Sequence, residues 1–144
     1  CHAACMTAPQ QPALLPSLHV PDIEESIRLY ESAFGFKVSD GPMRDDSNAI
    51  NYVEMALGGA EIMLFPEGAW GSKALSPRTM NTGEQGIGLY IYVPDVDAHH
   101  AVAAREPAMR ILHPPQDMFW GDRSYSVTCH NGYHWGFATR LRQE

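Results

Sequence analysis

The chain repeats one pattern at a constant offset of 73 residues. Val20-Pro21-Asp22-Ile23 recurs as Val93-Pro94-Asp95-Val96, and the same shift places Gly58-Gly59 on Asn131-Gly132. Few residues are identical, but the offset holds across predicted strands, helices and turns. Such a repeat predicts two copies of one supersecondary unit, with any ligand bound where the copies meet.

Each copy reads as a strand, a helix and three further strands, which predicts an α+β fold of two tandem βαβββ modules. In the first copy, Asp22 and Glu25 have the spacing of a helix capping box, and Gly35 ends the helix. In the second copy Asp95 caps the helix in the same way. The predicted boundaries are a disordered lead-in at 1–13, a first module at 14–65, a linker loop at 66–85 and a second module at 86–141.

The predicted strands follow apolar alternation and turn residues. In the first module they are 14–20, 36–39, 49–57 and 60–65. In the second module they are 86–93, 108–112, 123–129 and 133–139. Residues 40–48 and 113–117 read as a loop and a Pro-rich crossing, because they are rich in Gly, Pro and short polar side chains.

Composition limits the partners. The 144 residues include 17 acidic and 10 basic side chains, a net charge of -7, which argues against nucleic-acid binding. No apolar run approaches the roughly 20 residues of a membrane span. We therefore expect a cytoplasmic protein whose partner is a small molecule.

The cysteines Cys1, Cys5 and Cys129 imply no disulfide framework. We expect residues 1–5 to be expression residues ahead of a native start at Met6. Cys129 is interpreted as a small buried thiol in preference to a nucleophile. His99 and His100 are adjacent on a helix and point about 100° apart, so we interpret them as solvated or half-buried side chains.

Strand alternation assigns one side of each strand to the helices and the other to an inner surface. The inner surface mixes apolar, aromatic and polar groups, which is typical of a small-molecule pocket. The residues assigned to it are Leu15, Ser17, His19, Tyr52, Glu54, Glu61, Met63, Phe65, Gly88, Tyr90, Tyr92, Tyr125, Val127, Cys129, His134, Gly136 and Ala138.

Three segments resemble one known superfamily. They are Ala33-Phe34-Gly35-Phe36, Tyr92-Val93-Pro94-Asp95-Val96-Asp97-Ala98 and Gln116-Asp117-Met118-Phe119-Trp120-Gly121-Asp122-Arg123. From Leu14 to Arg140 the chain is similar to the vicinal oxygen chelate superfamily of glyoxalase I, extradiol dioxygenases and bleomycin-resistance proteins. The resemblance implies a cupped eight-stranded mixed sheet around a central cavity, commonly in a homodimer. It is closest to stand-alone bacterial glyoxalase-like and bleomycin-resistance-like proteins.

The resemblance also identifies where metal-dependent members hold their ion. Aligned on the repeat, those four positions are occupied by Leu15, Met63, Gly88 and Gly136, none of which suits a hard or borderline divalent cation. We therefore expect a protein that binds a small aromatic or amphipathic molecule without a metal or other cofactor, as in resistance or sequestration. Whether it is also an enzyme stays open.

Two enzymatic alternatives remain. If the alignment with the family is shifted by two residues along the strands, the same face offers His19, Glu61 and His134 as ligands of Fe, Zn, Mn or Ni. Tyr90 would then act as acid or base. Without a metal, Glu61 and His134 could act as general acid and base. The interpretation we favour is that Glu61 and His134 pair as a buried acid and base.

The candidate ligand-binding residues are aromatic and polar side chains of the inner surface, with two residues from the Gln116–Arg123 segment. Tyr90, Tyr92, Phe65 and Trp120 would stack on a flat ligand. The full predicted set is His19, Tyr52, Glu61, Phe65, Tyr90, Tyr92, Trp120, Arg123 and His134.

Overall fold

The structure is a computed structural model that describes residues 13–81 and 86–141. The predicted lead-in up to residue 12 and the predicted start at Met6 lie outside the described residues. The first module contains β1 (Ser17–Val20), α1 (Ile23–Leu29), β2 (Lys37–Arg44), β3 (Ile50–Leu57) and β4 (Ala60–Pro66). The second contains β5 (Leu89–Tyr92), α3 (Val96–Ala103), β6 (Arg110–Asp117), β7 (Asp122–Thr128) and β8 (His134–Arg140). Between them lie a 3₁₀ turn, Ala69–Gly71, and the short helix α2, Pro77–Met80.

The predicted α+β class and the two βαβββ modules are confirmed. The strands form two four-stranded sheets, ordered β1-β4-β3-β2 and β5-β8-β7-β6. In each sheet the first and last strands of the module pair in parallel and the others pair antiparallel. The expectation of one continuous eight-stranded sheet is therefore corrected to two separate sheets within the chain.

The predicted helix caps are confirmed in both modules. Asp22 Oδ1 accepts a hydrogen bond from the Glu25 amide at 3.1 Å, and Asp95 Oδ1 accepts one from the Ala98 amide at 3.1 Å. A π-helical turn, Tyr30–Phe34, continues α1 and ends at Gly35, whose φ of 84° lies in the left-handed region. Caps at equivalent positions start the two helices at the same point of the repeat.

The offset of 73 residues also relates equivalent strand pairs of the two sheets. Ser17 lies opposite Met63 in the first sheet, and Tyr90 lies opposite Gly136 in the second, so both partners shift by 73. Leu18, Val20, Ile62 and Leu64 are buried, while their strand neighbours are more exposed. The predicted faces of β1, β4, β5 and β8 follow the repeat.

The third strand of the second module breaks the offset, and its predicted face was wrong. Leu57 pairs with Ala60 across two turn residues, whereas the Cys129 amide reaches the Tyr133 carbonyl at 3.0 Å across three. One extra residue in the turn moves β7 by one position, and such a slip exchanges the two faces of a strand. Tyr125, Val127 and Cys129 therefore face the helices. Ser124, Ser126 and Thr128 take the inner side instead.

β2 and β6 extend further than predicted. They run to Arg44 and Asp117, through segments that contain Pro42, Pro114 and Pro115. Both are edge strands, where a residue without an amide hydrogen need not interrupt the pairing. A segment rich in turn-forming residues can therefore still form a strand at these two edges.

The two sheets share one core through the helices. Phe34 of the π-helical turn lies 5.5 Å from Trp135 and 4.8 Å from Phe137, measured between ring centroids, and all three side chains are buried. His99 of α3 joins both helices and the second sheet, since its Nε2 contacts the Phe34 carbonyl and its Nδ1 the Tyr125 hydroxyl, each at 2.7 Å.

Because both sheets turn their buried faces toward this helical layer, their other faces point away from each other. We call these the first and second open faces. The described part of one chain therefore does not close a central cavity between them. Among the described helices, none is long and apolar enough to cross a membrane.

Candidate functional site

The first open face carries a cluster of the half-buried Tyr52 and Phe65 with the exposed Trp70, called the first aromatic cluster. Phe65 is central, with ring centroids 5.4 Å from Tyr52 and 5.2 Å from Trp70. Trp70 is 71% exposed and adopts a left-handed backbone with φ of 52°. A non-glycine residue in this region costs on the order of 1–3 kcal/mol, and such residues concentrate at functional sites.

A cavity of about 550 Å³ opens beside the first aromatic cluster. Its described lining is Asp40, Met43, Arg44, Asn51, Tyr52 and Trp70. The Tyr52 hydroxyl donates to the Glu54 carboxylate. Burial and this carboxylate raise the pKa of Tyr52, so the hydroxyl stays a neutral donor near neutral pH. The cavity thus combines aromatic walls with polar and charged groups at its rim.

The second open face is organised around Asp122. Its Oδ2 accepts hydrogen bonds from Tyr90 at 2.7 Å and Tyr92 at 2.8 Å, and its Oδ1 accepts one from Arg140 Nε at 3.0 Å. Trp120 Nε1 in turn donates to the Tyr90 hydroxyl at 3.2 Å. We call Tyr90, Tyr92 and Trp120 the second aromatic cluster, and the buried carboxylate fixes two of its three rings.

Electrostatics keeps Asp122 ionised. Its side chain is buried, which alone would raise the carboxyl pKa, but hydrogen bonds from Tyr90 and Tyr92 and the Arg140 guanidinium outweigh burial and lower it. Burial and the same carboxylate raise the pKa of Tyr90. The Tyr90 hydroxyl therefore stays a donor to Asp122, and the hydrogen bonds of Tyr90 and Tyr92 to this carboxylate hold both rings toward solvent.

The structure does not bring the predicted acid and base together. Glu61 lies on the first open face, where its Oε1 accepts from Ser39 Oγ at 3.4 Å. His134 lies on the second open face and is exposed. Among the described residues no ion pair joins them, because the two faces point apart.

The alternative ligand set is also dispersed. His19 lies opposite Phe65 in the sheet register, four residues along β4 from Glu61, which is about 13 Å at the usual strand rise. No group of three His, Cys, Asp or Glu side chains within residues 13–81 and 86–141 is arranged to hold a metal ion.

The four positions implied by the family resemblance do not fit a divalent ion. Leu15 and Met63 offer no oxygen or nitrogen ligand. A Cβ at Gly136 would lie 2.8 Å from Tyr90 Cδ1, and one at Gly88 would lie 3.3 Å from His134 Cδ2. Neighbouring rings therefore occupy the space that ligand side chains would need at both glycines.

Arg123 is placed away from the open face. Its guanidinium binds Asp97 of α3, with Nε 2.9 Å from Oδ2, and Asp117 of β6, with Nη1 2.9 Å from Oδ1. These contacts tie the helix to the edge strand. Cys129 is a buried thiol, as interpreted from the sequence, with Sγ 3.3 Å from the Tyr30 hydroxyl.

Sequence reasoning missed the central role of Asp122 and its partner Arg140. Asp122 stands in the Trp120-Gly121-Asp122-Arg123 segment, from which the predicted ligand-binding set takes only Trp120 and Arg123. One signal in the sequence could have identified it. Tyr90 and Tyr92 are two residues apart on one strand, so their hydroxyls lie on the same face and can share one acceptor. No local pattern identifies Arg140, which reaches Asp122 across the β7–β8 pairing.

Known proteins with this fold agree with the architecture. TioX from Micromonospora sp. ML1 is 23% identical, covers 91% of this chain and 100% of its own, and superposes with a TM-score of 0.69. A protein of unknown function from Agrobacterium tumefaciens is 20% identical over 94% of this chain and 99% of its own, with a TM-score of 0.67. The bleomycin resistance determinant encoded on transposon Tn5 is 15% identical over 92% and 100%, with a TM-score of 0.63. At these identities the likeness shows the fold.

A search of curated proteins finds no match. The family model described as the Glyoxalase/Bleomycin resistance protein/Dioxygenase superfamily matches residues 13–137, which is most of the chain. The predicted family is thereby confirmed. The chain belongs to the glyoxalase/bleomycin resistance protein/dioxygenase superfamily.

Proposed function

We propose that the protein binds a small, flat aromatic or amphipathic molecule between its aromatic clusters, without a metal. The observation that carries this proposal is that each open face holds three aromatic rings that are at least partly accessible to solvent. Tyr90 is 45% exposed, Tyr92 48% and Trp120 41%, although the fold already has a buried aromatic core. Exposed aromatic groups fixed in place by polar partners are typical of ligand pockets.

The proposed ligand site needs two chains. The open faces of one chain point apart, and among the described strand residues no hydrogen bond, ion pair or ring contact joins them. A two-fold dimer can place the first open face of one chain against the second open face of its partner. Each dimer then has two equivalent cavities, each walled by both aromatic clusters.

Ligand titration tests the proposed binding function. We expect planar aromatic compounds to quench tryptophan fluorescence saturably, and non-aromatic compounds of similar size to have no effect. Calorimetry of Trp70→Ala should show affinity about fivefold weaker, since one stacking contact contributes about 1 kcal/mol. Val102→Ala is the control, because Val102 is an exposed apolar residue on α3, away from both open faces.

Affinity for the aromatic ligand should be unchanged after exhaustive chelation. Loss of binding on chelation would contradict the metal-free proposal and favour the metal-dependent alternative. Equal weakening in Trp70→Ala and Val102→Ala, or no saturable binding of any aromatic compound, would contradict the aromatic site itself.

Mixing two variants tests the proposed dimer. Light scattering should give twice the 16.0 kDa mass of the chain. Trp70→Ala and Trp120→Ala each damage both cavities of their own homodimer. After subunit exchange, a mixed dimer regains one cavity with both tryptophans, so about one site in four should bind with wild-type affinity. A site built within one chain would show no recovery.

A further inference from the structure

A second cavity, of about 680 Å³, lies at the β7–β8 turn end of the second sheet. It is bounded by the sheet on one side and by α2 of the linker on the other. Its polar lining includes Arg78, Asn81, Arg110, Thr128, His130 and His134. We call it the basic pocket, and neither aromatic cluster contributes to it.

The charge of this pocket is opposite to that of the protein. The chain has 17 acidic and 10 basic residues, yet no Asp or Glu is among the described residues that line the basic pocket. Arg110 forms no ion pair with any described residue, whereas Arg44, Arg123 and Arg140 are each paired with carboxylates. An unpaired guanidinium in a concave site favours an anionic partner.

Three of its side chains stand in one row across the sheet. Arg110 of β6 lies opposite Thr128 of β7, and Thr128 lies opposite His134 of β8. Residues directly opposite on adjacent strands are about 5 Å apart and point to the same side. A guanidinium, a hydroxyl and an imidazole therefore project side by side into the pocket, at a spacing that suits several oxygens of one group.

The opposite wall is held in place by the turn. The Arg78 amide donates to the Asn131 carbonyl at 2.9 Å, and Arg78 Nη1 lies 3.5 Å from the His130 carbonyl. Gly132 allows this approach, because a Cβ there would lie 2.8 Å from the Arg78 nitrogen. Asn131 is itself buried, and its Nδ2 donates to Ser26 Oγ at 3.0 Å. The backbone of Arg78 is thus held in place opposite the row of Arg110, Thr128 and His134.

We propose that the basic pocket binds the anionic oxygen group, a phosphate or a carboxylate, of a small molecule, with Arg78, Arg110, Thr128 and His134 as donors. Arginine binds both groups in a bidentate manner, and charge-assisted hydrogen bonds are the stronger class. Thr128 and His134 belong to the second open face, but no residue of either aromatic cluster lines the basic pocket. The site therefore goes beyond the proposed aromatic function and does not depend on what the aromatic clusters bind.

Titration with simple anions tests the basic pocket in the full-length protein. Phenyl phosphate, benzoate and phenol share one ring and carry a phosphate, a carboxylate and no anionic group, and inorganic phosphate has no ring. We expect calorimetry to detect binding of phenyl phosphate and of inorganic phosphate. The affinity of benzoate relative to phenyl phosphate measures the preference for carboxylate over phosphate. Phenol should bind at least tenfold more weakly than phenyl phosphate.

Arg110→Gln should weaken phosphate binding about tenfold or more, and Arg78→Gln should weaken it in the same direction. Arg105→Gln is the matched control, because Arg105 is an exposed arginine that follows α3 and lies outside the pocket. Circular dichroism shows whether each variant is folded. Inorganic phosphate carries no ring, so its binding does not require the aromatic clusters, which separates this proposal from the aromatic one.

Two results would overturn the proposal. One is equal phosphate affinity in Arg110→Gln, Arg78→Gln and Arg105→Gln. The other is no saturable binding of inorganic phosphate, which has no ring and can bind only through its oxygens.

Discussion

Replacing Trp135 with alanine is expected to lower the free energy of unfolding by about 3–5 kcal/mol, the usual cost of truncating a large buried aromatic residue. Trp135 is 0% exposed and contacts Tyr30, Phe34 and Phe36 of the first module. Its Nε1 has no hydrogen-bond partner among the described residues, so the loss is one of packing. Urea denaturation followed by circular dichroism measures the change.

Trp70→Ala is the control of the same residue type. Trp70 is 71% exposed, and we expect its replacement to cost about 1 kcal/mol or less. Equal destabilisation by the two variants would contradict a core shared between the modules. An independent first module would also survive in Trp135→Ala as a separate unfolding transition, whereas a shared core predicts a single transition.

Replacing Asp122 with alanine is expected to cost about 2–4 kcal/mol, because three donors lose their common acceptor. The Arg140 side chain is 48% exposed and can regain water, which limits the penalty. The aromatic ligand of the proposed function should also bind more weakly, since Tyr90 and Tyr92 lose the group that orients them. Tyr92→Phe is a milder comparison that removes one hydroxyl and keeps the ring.

The pH dependence of stability gives a second measurement on Asp122. Its folded pKa is lowered, so its ionised form stabilises the fold fully above the ordinary carboxyl pKa of about 4. That contribution is lost as pH falls toward and through the lowered pKa. Asp122→Asn keeps the shape and removes the charge, so its stability should fall less steeply in acid than that of the wild type. Parallel acid profiles for the two proteins would show that Asp122 is not the responsible carboxylate.

Local patterns predicted most of the fold because apolar and polar residues alternate along a strand that is buried on one side. Ile62, Leu64, Trp135 and Phe137 lie on the helix face as alternation requires. β7 could not be assigned by the repeat, since its face depends on whether a turn holds two residues or three. Gly and Asn in a turn indicate where it lies and leave its length open.

The candidate site was predictable only in part. Alternation places Tyr52, Phe65, Tyr90 and Tyr92 on open faces, because each assignment needs one strand only. The separation of the two faces depends on how the modules pack through Phe34 and Trp135. The row of Arg110, Thr128 and His134 depends on the register of three consecutive strands, which the length of the β7–β8 turn and the irregular pairing of β6 with β7 determine. Such juxtapositions are properties of the tertiary structure.

The extra turn residue before Tyr133 gives the two halves unlike surfaces. Where the first half presents Tyr52 and Glu54, the second half presents Ser124 and Ser126, the residues in the equivalent places of the sheet register. A cavity made from one surface of each kind therefore has two chemically different ends. A molecule held there would lie in a single direction, and both cavities of a symmetric pair would select the same end of it.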